Sequence, residues 1–227
     1  MPPPPTHANP AFDRDIAAVT VLLGKMESAV AEQIDAVSTA FDEMSLSKSR
    51  QVRKKDDSLN RQREELEERA VMALARHQPV ADDLRRIVGA LKMAIEYERM
   101  GDYVKHFAKS VGKFVVHHET LDVFPLLSDM TKSASKMFDD FRKARAAGDM
   151  EKLAQVWLRD QKIDDACHAA VQEAFTNQMR GDGNAHSLVH AVSVAKNLER
   201  LCDKIKNLVE IYYHQETGIP LDLETDD

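Results

Sequence analysis

The chain has 227 residues, of which 43% are hydrophobic, 30% are charged and only 6% are aromatic, and its formal net charge is −7. This apolar content is enough for a folded core, and the scarcity of aromatic residues and glycine favours long helices over sheets. The acidic balance argues against nucleic acid as the main partner, because neutralising phosphates requires clustered Lys and Arg.

Hydrophobic periodicity predicts six long helices in chain order. In the first, apolar residues recur at steps of three and four from Ile16 to Met44, which places them on one stripe. Ser45 to Ser47 predicts a turn and an N-cap before the second helix, and Gly148 with Asp149 predicts the end of the fourth helix and the N-cap of the fifth. The six predicted helices span residues 12–44, 47–76, 80–114, 121–147, 150–180 and 185–215.

The six helices form two sets of three. Residues 198–203 (LERLCD) match residues 97–102 (YERMGD) at a distance of 101 positions, and residues 159–164 match residues 55–60 at a distance of 104 positions. The two matches indicate a tandem duplication, and the short connections predict an all-α fold of two three-helix bundles, stacked end to end. The predicted division is a flexible Pro-rich tail over 1–11, a first repeat over 12–116, a second repeat over 117–218 and an acidic tail over 219–227.

Acidic residues interrupt the apolar stripes at matching places in both halves. In the third and sixth helices two acids four residues apart continue the stripe, which puts two oxygen ligands on one face about a turn apart. In the second and fifth helices an Asp lies on the stripe, and an Asn or Asp follows one turn later. The candidate metal ligands are Asp56, Asn60, Glu98 and Asp102 in the first half and Asp160, Asp164, Glu199 and Asp203 in the second half.

A buried carboxylate is costly unless it is paired or bound to a metal. Oxygen-rich clusters suit hard or borderline cations, so the pattern predicts sites for Mg, Mn or Fe, with Zn as a further candidate. The alternative is that arginines beside or on the same stripes, Arg63, Arg99 and Arg200, neutralise the acids without a metal. His106 lies one turn after Asp102 and is either a further ligand or an exposed residue.

Other candidate groups indicate no catalytic machinery. The sequence contains no GxxxxGK[ST], GxGxxG or GxSxG motif, and the ExxH ligand pattern of ferritin-like proteins is absent, so we expect no enzyme and no catalytic or cofactor-binding residues. Cys167 and Cys202 are far apart without CxxC spacing and are expected to be free thiols, with Cys202 in the core. His117 and His118 are interpreted as a linker with weak metal-binding potential.

These residues resemble the PhoU family. Residues 76–85 (RHQPVADDLR) are similar to its Gln-Pro-x-Ala-x-Asp-Leu-Arg turn, and residues 98–102 (ERMGD) are similar to its Glu-Arg-x-Gly-Asp motif. The segment from Val209 to Gly218 resembles its terminus, so the resemblance covers about residues 12–218. It is weaker in the second half, where Cys202 replaces a residue that is often small and no Gln-Pro turn precedes the sixth helix.

The resemblance implies a cytoplasmic protein that restrains phosphate uptake and phosphate-starvation signalling beside a phosphate ABC transporter and a sensor histidine kinase. It implies an adaptor, often a homodimer, that contacts the transporter's ATPase and the kinase, and it reaches the membrane only through these partners. It also implies multinuclear metal clusters, with Glu98, Asp102, Glu199 and Asp203 as the motif acids and Asp56 and Asp160 as supporting ligands.

Two other functions remain open at this point. One is a metal-dependent, carboxylate-bridged helical-bundle enzyme, which the absent ExxH pattern disfavours. The other is a plain helical scaffold whose acids are only ion-paired. The turn from Gln78 to Arg85 is either part of a contact surface or a helix cap. The start of the chain, Met-Pro-Pro-Pro-Pro, has no apolar segment after it, so we expect no secretory signal.

Overall fold

The structure is a computed structural model that describes residues 10–54, 56–180 and 184–223, without the side chains of Asp56 and Asp57. Within these ranges it consists of α-helices and contains no strand, which confirms the predicted all-α class. The helices are α1 (Pro10–Asp42), α2 (Leu46–Lys54), α3 (Asp56–His77), α4 (Ala81–Val116), α5 (Phe124–Ala147), α6 (Met150–Trp157), α7 (Asp160–Arg180) and α8 (Ala185–Thr217).

The predicted fifth helix is divided in two, as α6 with α7, whereas α2 and α3 lie on either side of residue 55, which is outside the described ranges. Between α6 and α7 the chain tightens, because the Arg159 amide donates to the carbonyl of Val156, three residues back, at 3.2 Å. Asp160 therefore opens α7 instead of lying inside a continuous helix. This break sets the direction in which the Asp160 carboxylate leaves the backbone.

Helix ends follow the predicted capping residues. Gly148 adopts a left-handed conformation with φ of 65° at the end of α5, as the absence of a Cβ permits. Asp149 then accepts a hydrogen bond from the Lys152 amide at 3.0 Å and caps α6. Gly218, with φ of 77°, ends α8 in the same way as Gly148 ends α5.

The two repeats pack side by side, and the prediction of end-to-end stacking is wrong. α4 and α8 run antiparallel along their length: Phe114, near the end of α4, meets His190 in the first turns of α8 with ring centroids 6.3 Å apart. At the other end, Gly89 faces Gln215, and a Cβ at Gly89 would lie 2.5 Å from the Gln215 side-chain oxygen. Both helices bury apolar residues toward their own repeat and toward each other, so one continuous core joins the repeats.

The predicted stripes hold for the outer helices and shift on α4. Residues of the predicted stripes of α1, α3 and α7 are buried, including Val30, Leu66 and Cys167. On α4 the helical spacing predicts an apolar line from Leu84 to Ile95 that continues to Glu98 and Asp102. Leu84 and Ile95 are each 40% exposed, so this predicted line is wrong. Because α4 is covered by its own repeat and by α8, its buried face is broad and is centred about one position away. The α4 acids Glu98 and Asp102 consequently lie at the edge of the core and are half-buried.

A buried ion cluster crosses the junction between the repeats. Glu27 of α1 accepts a hydrogen bond from the Tyr97 hydroxyl of α4 at 2.9 Å. Its carboxylate also pairs with Arg145 at 2.6 Å and with Arg142 at 3.3 Å, both on α5. Burial and the Glu27 charge raise the pKa of Tyr97 well above its ordinary value. The cluster thus joins two helices of the first repeat to one of the second.

None of the helices within the described ranges combines the length and the apolar composition that crossing a bilayer requires.

Candidate metal centre

Three of the predicted ligands of the second repeat meet between α7 and α8. Asp160 and Asp164 lie one turn apart on α7, and Asp203 faces them from α8. One oxygen of each carboxylate lies within 4.8 Å of the others. Two oxygens on opposite sides of one cation stand about 4 Å apart for Mg²⁺ and about 5 Å apart for Ca²⁺, so a single ion can contact all three.

Asp160 is the buried member of this group and is only 7% exposed. Its Oδ2 accepts a hydrogen bond from the Lys206 ammonium at 3.0 Å. Its Oδ1 is buried and has no hydrogen-bond partner. Because an unpaired buried carboxylate oxygen is costly, this atom is the one that gains most from a cation.

Asp164 and Asp203 carry negative charge that no described ion pair neutralises. Burial raises the pKa of both carboxyl groups above the ordinary value, and the charge of Asp160 raises it further. Lys204, the ammonium beside Asp203, pairs instead with Glu96 of α4 at 3.4 Å. The group therefore holds protons more tightly than isolated aspartates do, and it favours a bound cation for the same reason.

Glu199, the fourth predicted ligand, lies outside the group of three. It is half-buried, and its Oε2 accepts from the Lys196 ammonium at 2.7 Å and from the Cys167 thiol at 3.5 Å. Its charge still contributes to the raised pKa of Asp164 and Asp203. The structure therefore brings together three of the four acids, with the fourth already paired beside them.

Known proteins match this chain in sequence over most of its length. The PhoU domain model matches the chain over residues 23–111 and again over 127–212. The phosphate-specific transport system accessory protein PhoU homolog of Caulobacter vibrioides is 32% identical over 209 residues, which cover 89% of this chain and 86% of that protein. The chain belongs to the PhoU family.

Other PhoU proteins match this chain over most of its length, and one with a known structure has the same fold. The PhoU homolog of Zymomonas mobilis, with the same descriptive name, is 29% identical over 216 residues, covering 93% of this chain and 89% of that protein. The crystal structure of PhoU from Pseudomonas aeruginosa superposes with a TM-score of 0.88 at 25% sequence identity, over 92% of this chain and 100% of that one. The PhoU-like fold predicted from the sequence is confirmed. The Caulobacter and Zymomonas relatives are named as accessory proteins of a phosphate-specific transport system.

The PhoU motif acids of the first repeat are placed differently. The Asp56 side chain lies outside the described part of the structure, Asn60 and His106 are exposed, and Glu98 and Asp102 are half-buried. Among the described side chains, only the second repeat assembles three acids closely enough to share an ion. The first-repeat site stays a prediction.

Glu96 is an acid that sequence reasoning missed. It is 8% exposed, and it accepts a hydrogen bond from the Asn207 side chain at 3.2 Å. Arg99, which the sequence suggested as a counterion for Glu98, lies 3.7 Å from Glu96. The pattern ExE at positions 96–98 could have raised Glu96 as a candidate, but the assumed stripe through Ile95 excluded it.

Lys206 is the second residue that the sequence did not identify. Its ammonium lies 4.3 Å from the centroid of the Trp157 ring, on which a cation is stabilised. Trp157 in turn donates a hydrogen bond from Nε1 to Glu210 at 2.8 Å. Trp157 thereby positions the counterion of Asp160. The one feature of the sequence that could have indicated this role is the position of Trp157 at the end of α6, directly before the break between α6 and α7.

Both cysteines are expected to be unreactive toward a thiol reagent in the native protein. They are free and buried, and burial raises the pKa of Cys167 to about 11 and that of Cys202 further still, so almost no thiolate is present at pH 8. Titration with Ellman's reagent at pH 8 should give two reactive thiols only after unfolding in urea. Rapid reaction of either thiol in the native state would contradict this burial.

Proposed function

We propose that this protein is a cytoplasmic accessory regulator of phosphate transport that restrains phosphate uptake and phosphate-starvation signalling. It acts as a homodimeric adaptor between the ATPase of a phosphate ABC transporter and a sensor histidine kinase. Membership of the PhoU family supports this role, since the curated relatives named above are accessory proteins of the phosphate-specific transport system.

We further propose that a divalent cation, Mg²⁺ or Mn²⁺, or an iron ion, occupies the group formed by Asp160, Asp164 and Asp203. The observation that supports this proposal is the buried Oδ1 of Asp160, which has no hydrogen-bond partner. This atom lies beside the carboxylates of Asp164 and Asp203, which no described ion pair neutralises. Oxygen-only donors of this kind select hard cations. The first-repeat acids Asp56, Asn60, Glu98 and Asp102 would form the corresponding second site.

Exposed apolar side chains on α7 support an adaptor role. Phe175 is 64% exposed and Met179 is 83% exposed, one turn apart on the same helix. On α3, the matching helix of the first repeat, Val71 and Met72 are exposed as well, at 52% and 46%. Large apolar residues exposed together on a surface helix mark sites of protein–protein contact.

A strain that produces Asp164→Asn with Asp203→Asn as its only copy of the protein should express phosphate-starvation genes in phosphate-replete medium. The substitutions keep the shape of both side chains and remove two of the three anionic ligands, so the cation is lost while the fold remains. Reporter expression and elemental analysis of the purified protein measure the two effects. Glu98→Ala with Asp102→Ala tests the first repeat in the same way.

The matched control is Asp129→Asn with Asp165→Asn, which removes the same charge from two exposed positions of the second repeat. This control should repress normally and retain its metal. Normal repression by the Asp164 and Asp203 double variant, at normal protein level, would contradict a signalling role for the centre.

Affinity capture from phosphate-replete cells tests the adaptor role separately from the metal. Recovery of the transporter ATPase or the sensor kinase with the wild-type chain is expected, and Phe175→Ser with Met179→Ser should reduce it. Capture that yields neither protein under cross-linking conditions would contradict the adaptor role.

A further inference from the structure

Three histidines gather at the end of the bundle where α4 finishes and α8 begins. His186 and His190 lie one turn apart on α8, and their ring centroids are 4.7 Å apart. His117 caps the C-terminus of α4, and its ring centroid lies 6.2 Å from that of His186. The sequence analysis placed His117 in a linker, because no feature of the sequence showed that α4 and α8 run antiparallel.

The two histidines of α8 are already spaced as metal ligands. Their Nε2 atoms face each other at 3.3 Å. Two nitrogens bound tetrahedrally to one zinc ion at 2.0–2.1 Å stand about 3.3 Å apart, so the rings need little movement to share an ion. His186 is exposed, which leaves the outer side of the pair open to solvent.

His117 can supply a third nitrogen once its ring turns, since the three rings do not yet present nitrogens within 4.8 Å of one another. Imidazole rings that ligate one zinc ion stand about 5 Å apart between centroids, and the observed separations of 4.7 Å and 6.2 Å fall on either side of this value. The ring of Phe114 packs edge-on against His190 and limits its movement. His117 is exposed and therefore free to turn toward the pair.

The His190 ring gives up its proton more readily than an isolated imidazole. Burial lowers the pKa of His190, and the neighbouring His186, Lys113, Lys109 and His117 lower it further. A deprotonated imidazole has a lone pair available for a metal ion. Imidazole donors prefer Zn²⁺, Cu²⁺, Ni²⁺ or Co²⁺, whereas the aspartates between α7 and α8 prefer hard cations.

We propose that His186 and His190, completed by His117, bind one divalent transition-metal ion of the zinc type and tie the end of α4 to the start of α8. The site is separate from the aspartate group in position and in ligand chemistry. It does not depend on the proposed role in phosphate regulation. An ion held there links the last helix of the first repeat directly to the last helix of the second.

The test is a zinc titration of the full-length chain carrying Asp164→Asn and Asp203→Asn, so that the aspartate group does not contribute. Adding His186→Gln with His190→Gln should lower the number of bound zinc ions by one in equilibrium dialysis. His117→Gln alone should keep the ion but weaken its affinity at least about tenfold, the lower end of what the loss of even an outer partner costs. Co²⁺ should give an intense visible spectrum with the three histidines and a weak one without them.

His214→Gln, on the same helix near its other end, is the matched control and should change nothing. A second readout needs no variant: the ring protons of His117, His186 and His190 should shift in NMR spectra on adding Zn²⁺, and those of His106 and His214 should not. Unchanged zinc stoichiometry and affinity in the His186 and His190 double variant would overturn the site. An unchanged affinity in His117→Gln would overturn the tie between α4 and α8.

Discussion

Glu27→Gln is expected to lower the free energy of unfolding by about 3–5 kcal/mol, the cost of leaving a buried charge without its partner. Glu27 is 7% exposed and holds the Arg145 guanidinium at 2.6 Å. The substitution keeps the volume and removes the charge, so the largely buried Arg145 guanidinium, 17% exposed, loses the carboxylate that neutralises it. Urea denaturation monitored by circular dichroism measures the loss, and the slope with urea should not change.

Two further variants separate the charge from the packing. Tyr97→Phe removes only the hydroxyl that donates to Glu27 and should cost about 1 kcal/mol. Glu27→Gln with Arg145→Met removes both charges, and the double variant should be more stable than the sum of the single changes by about 0.5–3 kcal/mol. Strict additivity would mean that the two charges do not stabilise each other.

The Glu27 cluster also shows where sequence reasoning stops. Val30, Ile34 and Val37 repeat at helical spacing, and their burial on α1 was predicted from that spacing alone. Glu27 occupies the same helix, but its partners Tyr97 and Arg145 are 70 and 118 positions away in the chain. Only the packing of α1 against α4 and α5 brings them together, and no local pattern specifies it.

The same limit explains the mistaken packing of the repeats. Periodicity shows which side of a helix is apolar, but it does not show whether a broad apolar face serves one neighbour or two. α4 and α8 are covered on both sides, so their buried faces are wider than a single stripe, and that of α4 is shifted by about a residue. End-to-end stacking followed from treating each repeat as a closed bundle.

The aspartate group was more accessible to sequence reasoning. The duplicated pattern identified Asp160, Asp164 and Asp203 before any geometry, because acids on apolar stripes are costly and were repeated at matching places. The pattern could not show which of these acids already form ion pairs with lysines. Lys196 neutralises Glu199, and Trp157 positions Lys206 against Asp160, and both contacts depend on how the helices pack.

Asp164→Asn with Asp203→Asn is expected to make the metal-free protein more stable at pH 7 and to abolish its stabilisation by Mn²⁺. Wild-type protein should gain about 2.7 kcal/mol at a free Mn²⁺ concentration of one hundred times Kd, because the ion binds the folded state only. The double variant lacks two of the three ligands and should gain almost nothing. Urea denaturation with and without Mn²⁺ measures both effects, with Asp129→Asn and Asp165→Asn as the charge-matched control.

The dependence on pH distinguishes a metal site from a set of ion pairs. The pKa of Asp164 and of Asp203 is raised in the folded protein above the ordinary value of 3.8, so the folded state binds these protons more tightly than the unfolded chain does. Below the unfolded-state pKa both states are protonated and the acids have no effect on stability. As the pH rises toward the folded-state pKa, the unfolded chain ionises first, and the free energy of unfolding falls.

This fall in the free energy of unfolding should appear in the metal-free wild-type protein and vanish in the Asn double variant. Mn²⁺ should reverse it. The affinity for Mn²⁺ should rise over the same pH range, because protons stop competing for the carboxylates. If the acids were instead neutralised by neighbouring lysines, their pKa would be lowered, stability would rise with pH, and the Asn variant would be the less stable protein. The two accounts predict opposite signs for one measured slope. A metal-free wild-type protein that gains stability between pH 4 and pH 7 relative to the double variant would therefore support the plain scaffold over the metal centre.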